Sequence, residues 1–253
     1  MKIFVILPTY NEAENLARMA EQLVALPFDN INILVIDDNS QDGTGHIADT
    51  LCDKNPNHIS VIHRPGKMGL GNAYITGFRY ALERSADLVV QMDTDFSHSP
   101  SYLPHFVERM QEYDVVVGSR YVPGGKLDPR WSGWRYLLSK WANSIYVQMI
   151  LGVQVRDATA GFKCWSRRAL ETLPLNGVRA NGYVFQVEMA YLCEKHGLRI
   201  LEYPIYFEDR RIGKSKMSVP IKLEAAWRVF EIRWRYGTLK KNFARVEWQR
   251  ESA

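Results

Sequence analysis

A chain of 253 residues, of which 46% are apolar, is long enough to bury a substantial hydrophobic core within one large domain. The net charge of +4 is uneven, because residues 213–253 hold ten Lys and Arg against four Glu, which leaves the first 212 residues at −2. Three widely spaced Cys residues, a short N-terminal apolar run and the absence of any run of about 18 apolar residues argue against a disulfide framework, a signal peptide and a membrane-spanning helix.

Short apolar runs alternate with segments of helical spacing through the first half of the chain. Strands are predicted at 2–7, 31–36, 59–63, 87–92 and 114–118, and helices at 11–26, 42–54, 71–84 and 101–113. Apolar strands in strict alternation with helices are typical of a parallel sheet that is covered on both faces. The sequence therefore predicts an α/β fold.

The second half is less regular. Helices are predicted at 133–151 and 182–196, and strands at 158–165 and 199–208. Since no linker or internal repeat interrupts the chain, one domain with a C-terminal appendage is the simplest organisation.

An amphipathic helix is predicted in the basic C-terminal region. Its apolar stripe has helical spacing and consists of Val219, Leu223, Trp227, Phe230 and Trp234. Two interpretations stay open: an interfacial anchor beside anionic lipid, or a helix docked with its stripe buried in the core or in a dimer. Nucleic-acid binding is disfavoured, because the aromatic residues follow a helix face instead of forming a stacking platform.

Two acidic residues, Asp93 and Asp95, come directly after the predicted strand at 87–92. Side chains two residues apart in a strand project the same way, and ligands of parallel sheets bind beyond the carboxyl ends of the strands. Paired carboxylates suit Mg²⁺ or Mn²⁺, which keep open positions for phosphate oxygens. The alternative is that one of the two only caps the helix that starts near Pro100.

The turn after the first strand, Pro8–Glu12, has no glycine, which disfavours a dinucleotide-binding motif. The glycine-rich segment 66–71 lacks the spacing of a P-loop, and two interpretations remain: a phosphate cradle assisted by Lys67, or a flexible helix entry. The acidic pair Asp37 and Asp38 follows the second strand, where a carboxylate can bind a ribose or a base edge.

Five ordered motifs carry a family resemblance. They are P-T-Y-N-E (8–12), V-I-D-D-N-S-x-D-G-T (35–44), D-x-D-x-S-H-x-P (93–100), G-S-R-Y (118–121) and D-x-T-x-G-F (157–162). Together they resemble glycosyltransferase family 2, and most closely its polyprenyl- or dolichyl-phosphate mannose synthase branch. The resemblance covers roughly residues 1–216.

The resemblance implies a GT-A fold over residues 1–216, followed by a basic amphipathic extension at 217–253. It implies an inverting, metal-dependent transfer of mannose from GDP-mannose to the phosphate of a polyprenol or dolichol. A protein of this kind is expected in the cytoplasm, peripheral at the cytoplasmic face of a membrane, with a membrane-anchoring protein as a further candidate partner.

The resemblance also implies roles for individual residues. The nucleoside would contact Pro8, Tyr10, Glu12, Ile36 and Asp38. The diphosphate and sugar would lie along Asp93, Thr94 and Asp95. The Mg²⁺ or Mn²⁺ ion would bind Asp95 and Ser97. Phosphates would be neutralised by Arg120, Arg210 and Lys216, and Lys67 of the glycine-rich segment is a further candidate for binding the nucleotide sugar. The acceptor phosphate would be held by Arg135, Ser139 and Asp157. Of these residues, the catalytic ones would be Asp93, Asp95, Arg120 and Arg210.

A lipid phosphate is already anionic at neutral pH, so this transfer needs no strong general base. Asp157 and Glu188 are the candidates if a base exists. The alternatives are that Asp157 orients an arginine and that Glu188 sits on a solvated helix face, which is the interpretation favoured for Glu188. An apolar concentration near the acceptor residues predicts a groove for the polyprenyl chain at Trp131, Trp134, Tyr136, Leu137, Leu138 and Trp141.

Competing functions stay open at this point. UDP-glucose or another nucleotide sugar could replace GDP-mannose as the donor. A protein of another class, a catalytically silent nucleotide-sugar-binding subunit of a membrane complex, is disfavoured because it would not need Asp93, Asp95, Arg120 and Arg210 together.

Overall fold

A computed structural model describes residues 1–130, 133, 146–209, 219–239 and 245–249. The strands are β1 (Ile3–Thr9), β2 (Ile31–Asp37), β3 (Ile59–His63), β4 (Leu88–Gln91), β5 (Val115–Ser119), β6 (Lys126–Leu127), β7 (Lys163–Ser166), β8 (Ile200–Pro204), β9 (Tyr206–Phe207) and β10 (Val246–Trp248). The helices are α1 (Leu16–Val24), α2 (Thr44–Lys54), α3 (Leu70–Glu83), α4 (Leu103–Arg109), α5 (Gln148–Leu151), α6 (Arg167–Thr172), α7 (Tyr183–Lys195) and α8 (Val219–Tyr236). Short 3₁₀ turns lie at Pro100–Tyr102 and Leu175–Gly177.

In the described ranges the central sheet has eight strands, in the order β10-β8-β5-β7-β4-β1-β2-β3. Every pairing in it is parallel except the two made by β7, which runs antiparallel between β4 and β5. The predicted α/β fold with a mostly parallel sheet is confirmed. The carboxyl ends of β1, β2, β3, β4, β5 and β8 consequently meet at one edge of the sheet, which we call the rim.

Helices cover both faces of the sheet, and alternation along the strands divides the core between them. In β1, Phe4 and Ile6 belong to the cluster that includes α3 and α7, whereas Val5 and Leu7 belong to the cluster that includes α1 and α4. Burial of each such side chain contributes about 1.5–3 kcal/mol to the free energy of unfolding. The continuous apolar runs in the sequence thus reflect strands that are buried on both sides.

Several element boundaries differ from the prediction. Helix α1 begins at Leu16 rather than at 11, because Asn11 adopts a left-handed conformation (φ +58°) inside a turn. The strand predicted at 158–165 is confined to Lys163–Ser166, since the backbone N–H of Ala160 donates to the carbonyl of Asp157 in a turn. The strand predicted at 199–208 is split into β8 and β9.

The C-terminal region contacts the body of the protein in two places. Helix α8 packs against α5 and α7, and Arg233 donates a hydrogen bond to the carbonyl oxygen of Ile150 at 2.6 Å. Strand β10 pairs with β8 and thereby forms one edge of the central sheet. None of the helices within the described ranges combines the length and apolar character that crossing a bilayer requires.

Candidate active site

The acidic pair lies in a tight turn that follows β4. The strand ends at Gln91, so Asp93 and Asp95 lie in the turn rather than in the strand. Asp93 Oδ1 accepts a hydrogen bond from Tyr74 Oη at 3.3 Å, and Asp95 Oδ1 accepts one from the backbone N–H of Ser97 at 3.1 Å. Burial is the largest cause that raises the pKa of Tyr74, and the charges of both carboxylates raise it further. The two carboxylates therefore share a neighbour, and a turn rather than strand alternation brings them together.

His98 fixes the backbone at the start of this turn. Its ring is buried, stacks on Phe162 at 5.2 Å between centroids, and accepts a hydrogen bond from the backbone N–H of Asp93 at Nδ1 (3.0 Å). Burial is the main cause that lowers the pKa of His98, so the ring is neutral. Gly161 approaches the same ring so closely that an added Cβ would lie 3.0 Å from its Cε1. The D-x-T-x-G-F motif therefore closes on the acidic turn.

Ser97 and Asp95 form an oxygen-rich pair that suits a hard cation. Ser97 is 1% exposed, and its Oγ has no hydrogen-bond partner within the described part of the chain. Buried hydroxyls are normally bonded, so this oxygen retains the capacity to bind a ligand. Among the described residues no group of three or more His, Cys, Asp and Glu side chains converges. An Mg²⁺ or Mn²⁺ ion at this position would therefore complete its coordination with water and phosphate oxygens.

The loops after β1 and β2 are fastened to each other. The backbone N–H of Asn11 donates to Ser40 Oγ, and that of Glu12 donates to Thr44 Oγ1, both at 2.9 Å. In return, the N–H of Gln41 donates to Asn11 Oδ1 at 3.0 Å. The P-T-Y-N-E motif and the D-N-S-x-D-G-T motif are therefore two halves of one structure at the rim.

The residues predicted to contact the nucleoside differ in exposure. Lys67 Nζ lies 4.7 Å from the centre of the partly exposed Tyr10 ring, an arrangement that places a cation and an aromatic ring together at the rim. Ile36 is fully buried, and its Cδ1 lies against Gly77 of α3, so its side chain is not presented at the rim.

Three other predicted residues connect neighbouring segments. Thr94 Oγ1 donates to the carbonyl oxygen of Pro8 at 3.3 Å, which joins the acidic turn to the loop after β1. Glu12 Oε2 accepts a hydrogen bond from Asn15 Nδ2 at 2.9 Å, immediately before α1. These contacts position the loops between which a nucleotide would lie.

Asp38 is held by an arginine that the sequence reasoning missed. Arg64, which follows β3, is buried and donates to Asp38 Oδ1 from Nε at 2.5 Å and to the carbonyl oxygen of Gly69 at 3.2 Å. Burial raises the pKa of Asp38, while Arg64 opposes that change. Because Arg64 stands at the carboxyl end of a parallel strand, the rule that located Asp38 could also have located Arg64.

The glycine-rich segment 66–71 owes two of its glycines to close packing. A Cβ at Gly71 would lie 2.5 Å from the carbonyl oxygen of Ala180, and one at Gly69 would lie 2.8 Å from the Asn181 side chain. Gly69 also has a φ of +93°, which disfavours any other residue. Tight contact with residues 180–181 thus explains these glycines without requiring a phosphate.

Arg120 lies at the end of β5 and is gripped by Asp157. Arg120 donates from Nε to Oδ2 at 2.7 Å and from an Nη to Oδ1 at 2.6 Å, and its backbone N–H donates to Oδ2 at 2.9 Å. The same guanidinium also donates to Thr159 Oγ1 at 2.9 Å. Asp157 is fully buried, so this paired geometry is pre-organised. The interpretation that Asp157 orients an arginine is confirmed.

The solvated position predicted for Glu188 is wrong. Glu188 is fully buried in α7, where its carboxylate accepts hydrogen bonds from the backbone N–H of Ala180 (2.8 Å), from Tyr236 Oη (2.8 Å) and from Arg235 (3.1 Å). The helical spacing of the sequence could not reveal that α8 covers this face. These partners give Glu188 the role of fastening α8 to α7.

Several predicted residues lie outside the described residues. They are Arg135, Ser139, Arg210 and Lys216, together with the groove residues Trp131, Trp134, Tyr136, Leu137, Leu138 and Trp141. Their assignments stay predictions, as does the domain boundary after residue 216.

The fold and the rim together define the class of protein. A mostly parallel sheet that carries an acidic turn after β4 and an oriented arginine after β5 is the arrangement of a GT-A glycosyltransferase. The profile of glycosyl transferase family 2 matches residues 4–173, and the chain belongs to this family.

Two relatives match nearly the whole chain. An undecaprenyl-phosphate mannosyltransferase from Micrococcus luteus is 43% identical over 92% of this chain and 94% of its own length. A polyprenol monophosphomannose synthase from Mycolicibacterium smegmatis is 41% identical over 91% of this chain and 86% of its own length. The resemblance to the polyprenyl-phosphate mannose synthase branch is thereby confirmed.

Solved structures support the fold at lower identity. The glucosyl-3-phosphoglycerate synthase from Mycobacterium tuberculosis, in complex with Mn²⁺, UDP and glucosyl-3-phosphoglycerate, superimposes with a TM-score of 0.64. The match covers 93% of this chain and 80% of that one at 19% identity. A second complex of the same enzyme, with Mn²⁺, UDP-glucose and phosphoglyceric acid, gives the same TM-score at 18% identity.

Proposed function

We propose that the protein transfers mannose from GDP-mannose to the phosphate of a polyprenol, with inversion at the anomeric carbon and with Mg²⁺ or Mn²⁺ as the cofactor. The observation that carries the proposal is the identity of more than 40% to two polyprenyl-phosphate mannosyltransferases over more than 90% of this chain. The rim geometry supports it, because an acidic turn, a buried hydroxyl and an oriented arginine face the same edge of the sheet.

In the proposed reaction an oxygen of the lipid phosphate attacks the anomeric carbon of mannose. The bond from that carbon to the diphosphate breaks, and its electron pair leaves with the diphosphate. Arg120 and Lys67 neutralise the charge that develops on this leaving group, and Asp157 keeps Arg120 in place. The acceptor is already anionic, so no residue has to remove a proton from it.

Asp95 and the hydroxyl of Ser97, which has no hydrogen-bond partner among the described residues, would hold the divalent cation. When bound, the ion supplies positive charge to the diphosphate and orients it for in-line displacement. The glucosyl-3-phosphoglycerate synthase complexes contain Mn²⁺ together with UDP or UDP-glucose, which supports a divalent cation in a fold of this kind.

We further propose that the protein works as a peripheral protein at the cytoplasmic face of a membrane. Helix α8 packs on the body through buried Val229, Ile232 and Tyr236, which leaves Trp227 and Trp234 71% and 86% exposed. The helix is therefore docked on the body with Trp227 and Trp234 of the predicted stripe left exposed, while the side chains of Val219 and Leu223 lie outside the described part of the chain.

The exposed side chains form what we call the aromatic face: Trp227, Phe230 and Trp234, with the 79% exposed Met149 on neighbouring α5. Exposed tryptophans on a helix with basic residues suit the interface of a bilayer, where the lipid acceptor resides. A membrane-anchoring protein is the second candidate for this face.

The donor and acceptor can be tested with purified protein, a panel of radiolabelled nucleotide sugars and polyprenyl phosphate, with and without EDTA. We expect transfer from GDP-mannose, its loss in EDTA and its recovery on addition of Mn²⁺. Transfer from UDP-glucose instead would contradict the donor assignment. Binding of a donor without turnover would favour the silent subunit.

The Asp95→Asn variant tests the cation site. We expect kcat to fall by at least about 10²-fold, because a neutral amide stabilises neither the cation nor the charge of the leaving group. Mn²⁺ binding, followed by electron paramagnetic resonance in the presence of GDP, should weaken in parallel.

Asp53→Asn is the matched control, since Asp53 is exposed on α2, away from the acidic turn. Unchanged Mn²⁺ affinity in Asp95→Asn, with the control also unchanged, would place the cation elsewhere.

A further inference from the structure

Two buried glutamates hold the chain segment that leads into Asp157. Glu194 Oε1 accepts hydrogen bonds from the backbone N–H groups of Gln154 (2.7 Å) and Val155 (3.0 Å). The carboxylate of Glu202 accepts the next two, from Arg156 and Asp157 at 2.9 and 3.0 Å. Side chains thus replace the partners that a helix or a strand would provide for four consecutive N–H groups.

Glu202 also binds the other half of the Arg120–Asp157 pair. Its Oε1 accepts a hydrogen bond from Ser119 Oγ at 2.8 Å, and Ser119 immediately precedes Arg120 at the end of β5. Glu202 lies on β8, in register with Val117 of β5, and is fully buried. One carboxylate therefore grips the backbone beneath Asp157 and the residue beneath Arg120.

We infer that Glu202 is a positioning residue, which sets the placement of the Arg120–Asp157 pair at the leaving diphosphate without touching the substrate. The inference rests on the proposed function only for the role of that pair in transfer. The hydrogen bonds of Glu202 join groups of the protein to one another, so they do not depend on which substrate the protein binds.

The protonation state of Glu202 determines whether all three hydrogen bonds form. Burial is the main cause that raises the pKa of Glu202 to about 7. The hydrogen bonds from Arg156, Ser119 and Asp157 lower this pKa and so oppose the effect of burial. The charge of Asp157 raises this pKa further. Three further residues lie on the elements around Glu202. They are Arg120 at the end of β5, Glu194 of α7, which binds the N–H of Val155, and Trp248 of β10, which pairs with Glu202 in the sheet.

Only the ionised carboxylate offers acceptors to all three donors, so the three bonds form together above about pH 7, and at least one of them is lost as the pH falls through this value. We expect the kcat of the wild-type protein to decline on the acidic side with this dependence. In Glu202→Gln, kcat at pH 8 should be about 10- to 100-fold lower than in the wild-type protein, while the KM for the donor stays within about threefold of the wild-type value. The decline of kcat that follows the protonation of Glu202 should be absent from this variant.

Ser119→Ala provides a milder second variant, which keeps the charge of Glu202 and both backbone donors. Because the Ser119 hydroxyl favours the ionised carboxylate, its removal should move the acidic decline to higher pH. Ionisation of the acceptor phosphate is common to all three proteins, so the differences between them isolate Glu202. Unchanged profiles in folded Ser119→Ala and Glu202→Gln would overturn the inference.

A readout that needs no transfer separates this inference from the proposed function. In protein labelled with ¹⁵N-arginine, the Nε–H resonance of Arg120, identified by its loss in Arg120→Lys, reports the bond to Asp157. In the wild-type protein this resonance should shift as the pH passes through about 7. In Ser119→Ala the shift should occur at higher pH, and in Glu202→Gln it should be absent. A resonance that shifts identically in all three would refute the role of Glu202 even if no sugar is transferred.

Discussion

Three carboxylates near the rim are buried, and each is held by specific partners. Asp157 binds Arg120, Asp38 binds Arg64, and Glu202 has three donors. An uncompensated buried charge costs several kcal/mol, so these partners are what allows carboxylates to persist inside the sheet.

Lys163 departs from this pattern, because its hydrogen-bond partner is neutral. It is fully buried in β7 and donates to Gln186 Oε1 at 2.7 Å. Burial lowers the pKa of Lys163 to about 7. Gln186 Oε1 also accepts from Gln91 Nε2 at 2.7 Å, so it would keep a donor if Lys163 were replaced.

The Lys163→Met variant should therefore be more stable than the wild-type protein near neutral pH. Between the folded pKa of about 7 and the unfolded value of 10.5, the unfolded chain binds more protons, so wild-type stability rises with pH. This rise approaches about 1.4 kcal/mol per pH unit and should be missing in Lys163→Met. The advantage of the variant should shrink as the pH increases.

Urea unfolding at several pH values between 6.5 and 9.5 measures this difference. Lys54→Met, at the exposed end of α2, is the control and should follow the wild-type curve. Parallel curves for Lys163→Met and the wild-type protein would show that Lys163 is charged in the folded state.

Sequence patterns located part of this residue-level chemistry. The motifs indicated the neighbourhood of Asp93, Asp95, Arg120 and Asp157, because these residues stand at strand ends or in a family motif. Glu202 was missed and Glu188 was misplaced, since the partners of a buried carboxylate come from distant parts of the chain. Spacing along one segment carries no information on such partners.

At the scale of elements, helix α3 packs on the strands that lead to the nucleoside loops. Gly77 of α3 lets the helix approach β1 and β2 closely, because an added Cβ would lie 2.5 Å from Ile6 Cγ2 and 3.1 Å from Ile36 Cδ1. In an exposed helix, alanine would be better than glycine by about 1 kcal/mol. At this position the close approach outweighs that preference.

Gly77→Ala should consequently lower the free energy of unfolding by about 1–3 kcal/mol, as overpacking of a core does. Chemical denaturation measures the change. Gly66→Ala is the matched control, since no atom of the described residues lies within 4 Å of its added Cβ, and it should remain within about 0.5 kcal/mol of the wild-type value. A Gly77→Ala protein as stable as the control would show that α3 can shift without cost.

Element boundaries show where local patterns are incomplete. The spacing of apolar residues predicted α1 and α7 as helices, but the turn at 11–15 forms because the loop after β2 binds its backbone. The antiparallel position of β7 depends on pairing with β4 and β5, which are more than 40 residues away in the sequence. The spacing of apolar residues within one segment does not predict pairings between strands so far apart in the sequence.

At the scale of the whole molecule, the two faces of the sheet differ in what they present outward. The face covered by α1 and α4 is separate from the one that carries α7 and α8. The aromatic face on α8 and α5 therefore lies on the same side of the sheet as α7. On the proposed function, this side would meet the membrane.

The Trp227→Glu/Trp234→Glu double variant tests that orientation. We expect its partition onto vesicles of anionic phospholipid to fall at least about tenfold, because two interfacial aromatic rings are lost and negative charge is added. Vesicle co-sedimentation measures the bound fraction, and circular dichroism verifies the fold.

Val24→Glu is the control for added charge, since Val24 is 40% exposed at the end of α1 on the other side of the sheet. Equal binding by the double variant and the control would reject the aromatic face as the membrane surface. A change in oligomeric state without a change in vesicle binding would assign the face to a second copy of the chain.

The sequence by itself determined the alternation of strands and helices, the family and the order of the rim motifs, because periodicity and motif spacing are local properties of the chain. Only the tertiary structure decided that Glu202 lies beneath Arg120 and Asp157, that Ile36 turns into the core, and that α8 docks through Val229, Ile232 and Tyr236. These features depend on which segments, distant in the sequence, pack against each other and bury their side chains. Burial of that kind is a property of the assembled molecule.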